Sequence, residues 1–90
     1  MDKKRGRLEI IYDILNVINK NQNRIKYTPL LRKSNLSTKR FSEYVSELLE
    51  KEFIKALENK KDKYFCLTDK GFHYLEKYKN ITTFVEDFGL

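Results

Sequence analysis

The sequence predicts a mainly α domain with one small β-hairpin, an α+β fold of 90 residues with a last helix after the hairpin. Three observations predict it. Apolar residues recur at helical spacing in three long segments. Ser, Thr and Pro stand where helices need starting residues. A polar, lysine-rich connector separates two short segments of alternating character.

The first helix is expected from about Arg7 to Asn19. Leu8, Ile11, Tyr12, Leu15 and Ile18 follow helical spacing, and Ile10, Ile14 and Val17 form a second apolar stripe. A helix with two such stripes is covered on two sides, and the second is available to a dimer interface. The Asn-rich run Asn19 to Asn23 ends it. Arg24-Ile25-Lys26-Tyr27 alternates polar and apolar, as a short strand does. Thr28 then reads as an N-cap with Pro29 at the first helical position, opening a short helix to Ser34. Asn35-Leu36 is a tight turn, and Ser37 caps a longer helix from about Thr38 to Lys51.

In that longer helix Phe41, Tyr44, Val45, Leu48 and Leu49 make the buried stripe. The opposite face carries Lys39, Ser42, Glu43, Ser46 and Glu50, with Arg40 on its flank. Basic residues at a helix N-terminus oppose the macrodipole, so Lys39 and Arg40 point to a use other than helix stability. Phe53 to Leu57 and Lys63 to Leu67 read as two strands joined by Glu58-Asn59-Lys60-Lys61-Asp62. Thr68 caps the last helix. In it Tyr74, Tyr78, Ile81, Val85 and Phe88 recur at intervals of four, three, four and three, a heptad seam of about two heptads. A break near Asn80, with Thr83 and Glu86 as a capping box, is the alternative. Gly89 closes the helix in either case.

Net charge is +6, and its placement is uneven. No acidic residue lies between Asp13 and Glu43, a window holding Lys20, Arg24, Lys26, Arg32, Lys33, Lys39 and Arg40. Lys3, Lys4, Arg5 and Arg7 open the chain, and Lys60, Lys61 and Lys63 crowd the hairpin tip. Such clustering attracts polyanions, or simply keeps a surface solvated. The single Cys excludes a disulfide within the chain and fits a reducing cytosol. Charges interrupt every apolar run, so neither a signal peptide nor a membrane span is expected.

The order of elements is helix, short strand, short helix, turn, longer helix, hairpin, helix. That is the order of a winged helix-turn-helix, whose second motif helix enters the DNA major groove while the hairpin, its wing, reaches the backbone. The division expected is residues 1–68 for DNA binding and 69–90 for dimerisation, within one domain. Arg5 to Leu15 (RGRLEIIYDIL), Ser34 to Ser37, Leu48 to Lys51, Leu67 to Gly71 and Tyr74 to Tyr78 carry a family resemblance. They resemble the small archaeal winged-helix DNA-binding proteins classed as predicted transcriptional regulators. That group includes crenarchaeal chromatin-associated proteins that dimerise through an antiparallel C-terminal coiled coil. The resemblance covers nearly the whole chain. It implies DNA binding by the third helix and wing, and homodimerisation by the last helix through Tyr74, Tyr78, Ile81, Val85 and Phe88. The last helix here is shorter than the coil of the chromatin-associated members.

The DNA-contact candidates follow. Lys39 and Arg40 open the third helix; Arg can grip guanine O6 and N7 together. Ser37 and Thr38 stand beside the helix N-terminus, where phosphate is welcome, though Ser37 serves equally as a cap alone. Ser42 and Glu43 face the groove, Glu43 as an acceptor for cytosine N4. Lys60, Lys61 and Lys63 on the wing, and Arg32 and Lys33 at the end of the second helix, suit phosphates. Arg5 and Arg7, with Lys3 and Lys4, make a flexible arm on DNA or a soluble tail. Tyr27 and Tyr44 read as core. His73 has no ligand partner at metal spacing and Cys66 reads as a packed thiol, so neither a metal nor a cofactor is expected. No catalytic constellation is present, and the expectation is a non-enzyme associated with DNA in the cytoplasm. A sequence-specific regulator, an architectural DNA-coating protein and a protein-docking module remain alternatives. RNA is disfavoured, because a helix cannot read the narrow major groove of A-form duplexes.

Overall fold

The computed structural model describes residues 5–90 and contains four helices and a three-stranded antiparallel sheet. In chain order these are α1 (Arg7–Lys20), β1 (Ile25–Lys26), α2 (Tyr27–Ser34), α3 (Thr38–Glu50), β2 (Ile54–Glu58), β3 (Lys63–Leu67) and α4 (Asp69–Asp87). The strand order is β1-β3-β2, so the last strand of the hairpin lies in the middle. Ile25 stands opposite Phe65 and Lys26 opposite Tyr64. On the other side Ile54 meets Leu67 and Glu58 meets Lys63.

The core is one cluster fed by every element except α4. Ile10, Ile11, Ile14, Leu15 and Ile18 come from α1, Leu30 from α2, and Phe41, Val45 and Leu48 from α3. Ile25, Ile54, Phe65 and Leu67 close it from the sheet. Apart from Leu8, which is exposed, both stripes of α1 are therefore turned into the chain's own packing. Ile10 and Ile14 are 2% and 0% exposed, which removes them from a dimer interface. Cys66 is buried in β3, Tyr44 packs against the core, and Tyr27 lies edge-on to Phe41 at the surface.

Two helix boundaries differ from expectation. Helix α2 starts at Tyr27 with Lys26 as its N-cap residue, so Thr28 lies inside the first turn and does not cap. Pro29 is tolerated there because N–H groups of the first turn have no intrahelical partner to lose. Helix α4 runs through Asn80 without a break. Asn lowers helix propensity by less than about 0.7 kcal/mol, which neighbouring turns absorb. The Thr82 hydroxyl donates to the Lys79 carbonyl at 2.9 Å rather than forming a new helix start. The far end closes at Gly89 (φ 67°): its N–H reaches the Glu86 carbonyl and that of Leu90 the Val85 carbonyl. Those two bonds make a Schellman cap.

Helix α4 docks by its first half. The Thr68 hydroxyl caps it, accepting from the Gly71 N–H at 3.2 Å. The Tyr74 hydroxyl donates to the Leu8 carbonyl at 2.6 Å, and its ring meets Phe53 edge-on at 5.7 Å. Tyr78 stacks on Tyr12 of α1 at 4.5 Å. Burial, then the neighbouring Tyr78, push the Tyr74 phenol up to about 12. Burial and the carboxylates of Glu9 and Asp13 raise Tyr78 as well.

The neutral phenol of Tyr74 is thus favoured by the fold. Its contribution is complete below the unfolded value near 10 and is lost as pH rises towards about 12. Tyr74→Phe is expected to remove about 1 kcal/mol at neutral pH, the worth of one hydrogen bond. It should also flatten the alkaline fall in stability between pH 10 and 12. Urea unfolding followed by circular dichroism across that range checks both.

Candidate nucleic-acid interface

Three features carry the exposed basic residues: the turn between α2 and α3, the first turns of α3, and the hairpin tip. The turn is locked by its own side chains. The buried Ser34 hydroxyl donates to the Leu31 carbonyl at 2.7 Å and accepts from the Leu36 N–H at 3.3 Å. Asn35 takes the left-handed conformation (φ 58°) that Asn tolerates better than most residues. Leu36 packs against the core, and the Ser37 hydroxyl accepts from the Arg40 N–H at 3.2 Å. Ser37 is therefore the cap of α3.

With Phe41, Val45 and Leu48 turned inward, α3 exposes Thr38, Lys39, Arg40, Ser42, Glu43 and Ser46. No carboxylate among the described residues pairs with Lys39 or Arg40. Beyond them stand a hydroxyl, a carboxylate and another hydroxyl, each able to hydrogen-bond a base edge. Arg32 and Lys33 are exposed in the last turn of α2.

The hairpin tip is a defined turn. The Asn59 side-chain carbonyl accepts from the N–H groups of Lys61 (3.2 Å) and Asp62 (2.9 Å), while the Asn59 N–H donates to the Asp62 carbonyl. Lys60, Lys61 and Lys63 are all exposed on it. The Asp62 carboxylate is occupied by Lys26 at 3.0 Å, an ion pair that raises the Lys26 pKa. The acid at the tip is thereby matched by a cation from β1.

Arg5 and Arg7 form neither a free arm nor a loose tail. Arg5 pairs with Asp13 at 2.9 Å and donates to the Ser34 carbonyl at 2.8 Å, so it satisfies the C-terminal end of α2. Arg7 is hydrogen-bonded to Glu47 of α3, which Lys51 also reaches at 2.7 Å. Arg7 first and Lys51 second hold the Glu47 carboxyl down at about 2, and Arg7 itself is raised. These arginines couple α1 to α2 and α3 and position the helix-turn-helix. Lys3 and Lys4 lie outside the described residues.

The seam on α4 divides. Tyr74 and Tyr78 face their own α1, whereas Ile81, Phe84, Val85 and Phe88 are exposed on one helical face. Phe84, 56% exposed, belongs to that face although it lies off the heptad spacing. Among the described residues no cluster of His, Cys, Asp and Glu is arranged to hold a metal ion, and no helix is long and apolar enough to cross a membrane.

One cationic group of the acid-free window lies outside the DNA-contact candidates named from the sequence. The Arg24 guanidinium lies over the Tyr64 ring at 4.0 Å from its centroid, and Lys26 flanks the same ring. The alternation around Ile25 hinted at an outward-facing Arg24, but not at its partner on β3.

Solved structures share this fold. A winged-helix DNA-binding protein from STIV superposes with a TM-score of 0.75 at 21% identity, over 88% of this chain and 91% of that one. Sso10a-2, a DNA-binding protein from Sulfolobus solfataricus, gives 0.75 at 18% identity, over 93% and 85%. An Archaeoglobus fulgidus protein gives 0.70 at 16% identity, over 90% and 91%. In sequence, an uncharacterized protein of Methanocaldococcus jannaschii is 35% identical over 78 residues, which are 87% of this chain and 34% of that protein. The chain thus spans about a third of the length of that curated relative. The winged helix-turn-helix family model matches residues 4–86, and with the element order and sheet described above the chain belongs to that family.

Proposed function

We propose that this chain binds double-stranded DNA, with α3 in the major groove and the hairpin tip on the sugar-phosphate backbone, as part of a transcriptional regulator. The observation that carries this reading is the face of α3. Two cations that form no ion pair among the described residues, Lys39 and Arg40, precede Ser42, Glu43 and Ser46 on an exposed helix surface. Cations there meet phosphates or guanine edges, and the hydroxyls and carboxylate behind them offer base discrimination. A protein that only coats DNA has no need of such groups, which favours regulation over an architectural role. The DNA-binding proteins from STIV and Sulfolobus solfataricus share the fold, which supports the class of ligand.

The chain acts as a homodimer in this reading. Residues 1–68 supply the DNA-binding region and residues 69–90 the contact between protomers. Ile81, Phe84, Val85 and Phe88 form the exposed apolar face that a second copy covers. Tyr74 and Tyr78 support α4 from within the protomer.

Fluorescence anisotropy tests the proposal, using random 30-base-pair duplexes, the matching single strands and duplexes enriched by selection. Duplex binding that weakens steeply with salt is expected, with selected duplexes preferred at least about a hundredfold and two protomers bound per site. Equal affinity for all duplexes would replace the regulator by an architectural protein. Absence of duplex binding at low salt would sink the DNA reading altogether.

A further inference from the structure

A second cationic site lies beside the tip end of the hairpin, on β1 and β3. It begins with the turn after α1. Gln22 and Asn23 are consecutive left-handed residues (φ 62° and 56°), an uncommon conformation for side chains other than Gly. The conformation is held by side-chain bonds. The Asn23 side-chain carbonyl accepts from the Leu67 N–H at 2.7 Å, fastening the turn to β3. The Asn21 amide donates to the Arg24 carbonyl, also at 2.7 Å. The backbone at Arg24 is therefore fixed on both sides before its side chain does anything.

That side chain lies on the Tyr64 ring at 4.0 Å, and Tyr64 is half-buried in the central strand. A guanidinium stacked on an aromatic face keeps its N–H edges for acceptors in its own plane. No carboxylate among the described residues pairs with Arg24. Of the acids nearby, Asp62 takes a weak 3.5 Å bond from the Tyr64 hydroxyl and is matched by Lys26, while Glu58 lines an adjoining hollow with Arg24 and Tyr64 without pairing to Arg24. Lys20, Asn21, Gln22, Arg24 and Tyr64 line an open hollow at this place. The result is a cation placed over an aromatic ring, fixed by its turn, and without an acidic partner among the described residues.

The distance to the hairpin tip is short. Tyr64 stands three residues after Lys61, a separation of at most about 10 Å of chain. That equals about three nucleotides of one strand measured along a duplex axis. A backbone held by Lys60 and Lys61 therefore passes within reach of Arg24.

We propose that Arg24, presented by Tyr64, is a phosphate-binding residue of this protein that extends the hairpin's grip on the DNA backbone beyond its tip. The inference rests on the DNA-binding reading above. Tyr64 is the positioning residue and Arg24 the contact.

The test is salt-dependent anisotropy on random duplex DNA with the full chain. Arg24→Ala should weaken binding about threefold to tenfold and lower the salt slope by about one. Tyr64→Leu, which keeps the charge but removes the platform, should weaken binding nearly as much, while Tyr64→Phe should match the wild type. Arg24→Lys should fall between. Thermal melts by circular dichroism establish that each variant is folded; if Tyr64→Leu is not, the two Arg24 variants and Tyr64→Phe decide. Wild-type affinity and slope in Arg24→Ala, beside a loss in Lys39→Ala/Arg40→Ala, would overturn the inference and leave the α3 reading intact. No duplex binding by the wild type would overturn both.

Discussion

Gly71→Ala is expected to destabilise the fold by about 2 kcal/mol, lowering the melting temperature by roughly 10 °C. Gly71 lies in the first turn of α4, and a Cβ built on it would stand 2.3 Å from the Phe53 carbonyl oxygen. Leu67 side-chain atoms would lie at 3.4 Å on the other side. The carbonyl cannot step aside easily, because it also accepts from the Thr68 N–H and hydroxyl, both at 3.1 Å. Those bonds join the start of β2 to the start of α4. Against the clash, alanine gains about 1 kcal/mol of helix propensity over glycine. The steric term wins because the atom met is backbone in a bonded junction. Thermal unfolding followed at 222 nm checks it. An unchanged melting temperature would mean that α4 can slide from the hairpin without loss, contrary to the close packing described.

Lys39→Ala/Arg40→Ala should weaken duplex binding about thirtyfold to a hundredfold near 0.1 M salt and lower the salt slope by about two. The size follows from removing two cations from the helix start, with a base-edge contact by Arg40 adding to the phosphate term. The fold should be untouched. Both side chains are exposed, and the bond from the Arg40 backbone N–H to Ser37 survives the substitution. Arg40→Lys separates charge from geometry: it should restore the slope but not the full affinity, because an ammonium cannot form the paired contact. Lys77→Ala/Lys79→Ala, at two exposed sites on α4, serves as a charge-matched control and should bind as the wild type does. Equal losses in the control and the double variant would reduce the α3 cations to general attraction. Anisotropy titrations at several salt concentrations distinguish these outcomes.

What could be read from the sequence was the local physics. The caps at Ser37 and Thr68 and the closure at Gly89 all depend on residues within a few positions of one another. The buried stripe of α3 follows from spacing alone, and so does the exposed face bearing Lys39, Arg40, Ser42 and Glu43. What could not be read was which surface covers which. The spacing of Tyr74 and Tyr78 marks one face of a helix but says nothing of the partner, and the partner turned out to be α1 of the same chain. The stripe of Ile10 and Ile14 carried the same ambiguity. Arg5 escaped as an apparent tail because Asp13 and Ser34, its partners, are brought to it only by the tertiary fold. Arg24 escaped because its platform depends on β1 pairing with β3, a register set far along the chain. Helix α2 began early because Pro fits several positions of a first turn, so its presence marks a start only to within a residue or two.

The far half of α4 has a mechanical meaning. From Tyr78 to Asp87 the helix continues for about 14 Å past its last aromatic anchor on α1. A rod clamped at one end is a lever. Whatever grips its apolar tip sets the heading of the whole protomer, because α1 is tied to α3 through Arg7 and Glu47. In the proposed dimer, the angle and separation of two α3 helices on DNA would then be written in the geometry of the lever arm, not in α3. Lengthening that arm by one helical turn would re-space the paired DNA sites while leaving the preference within each of them alone.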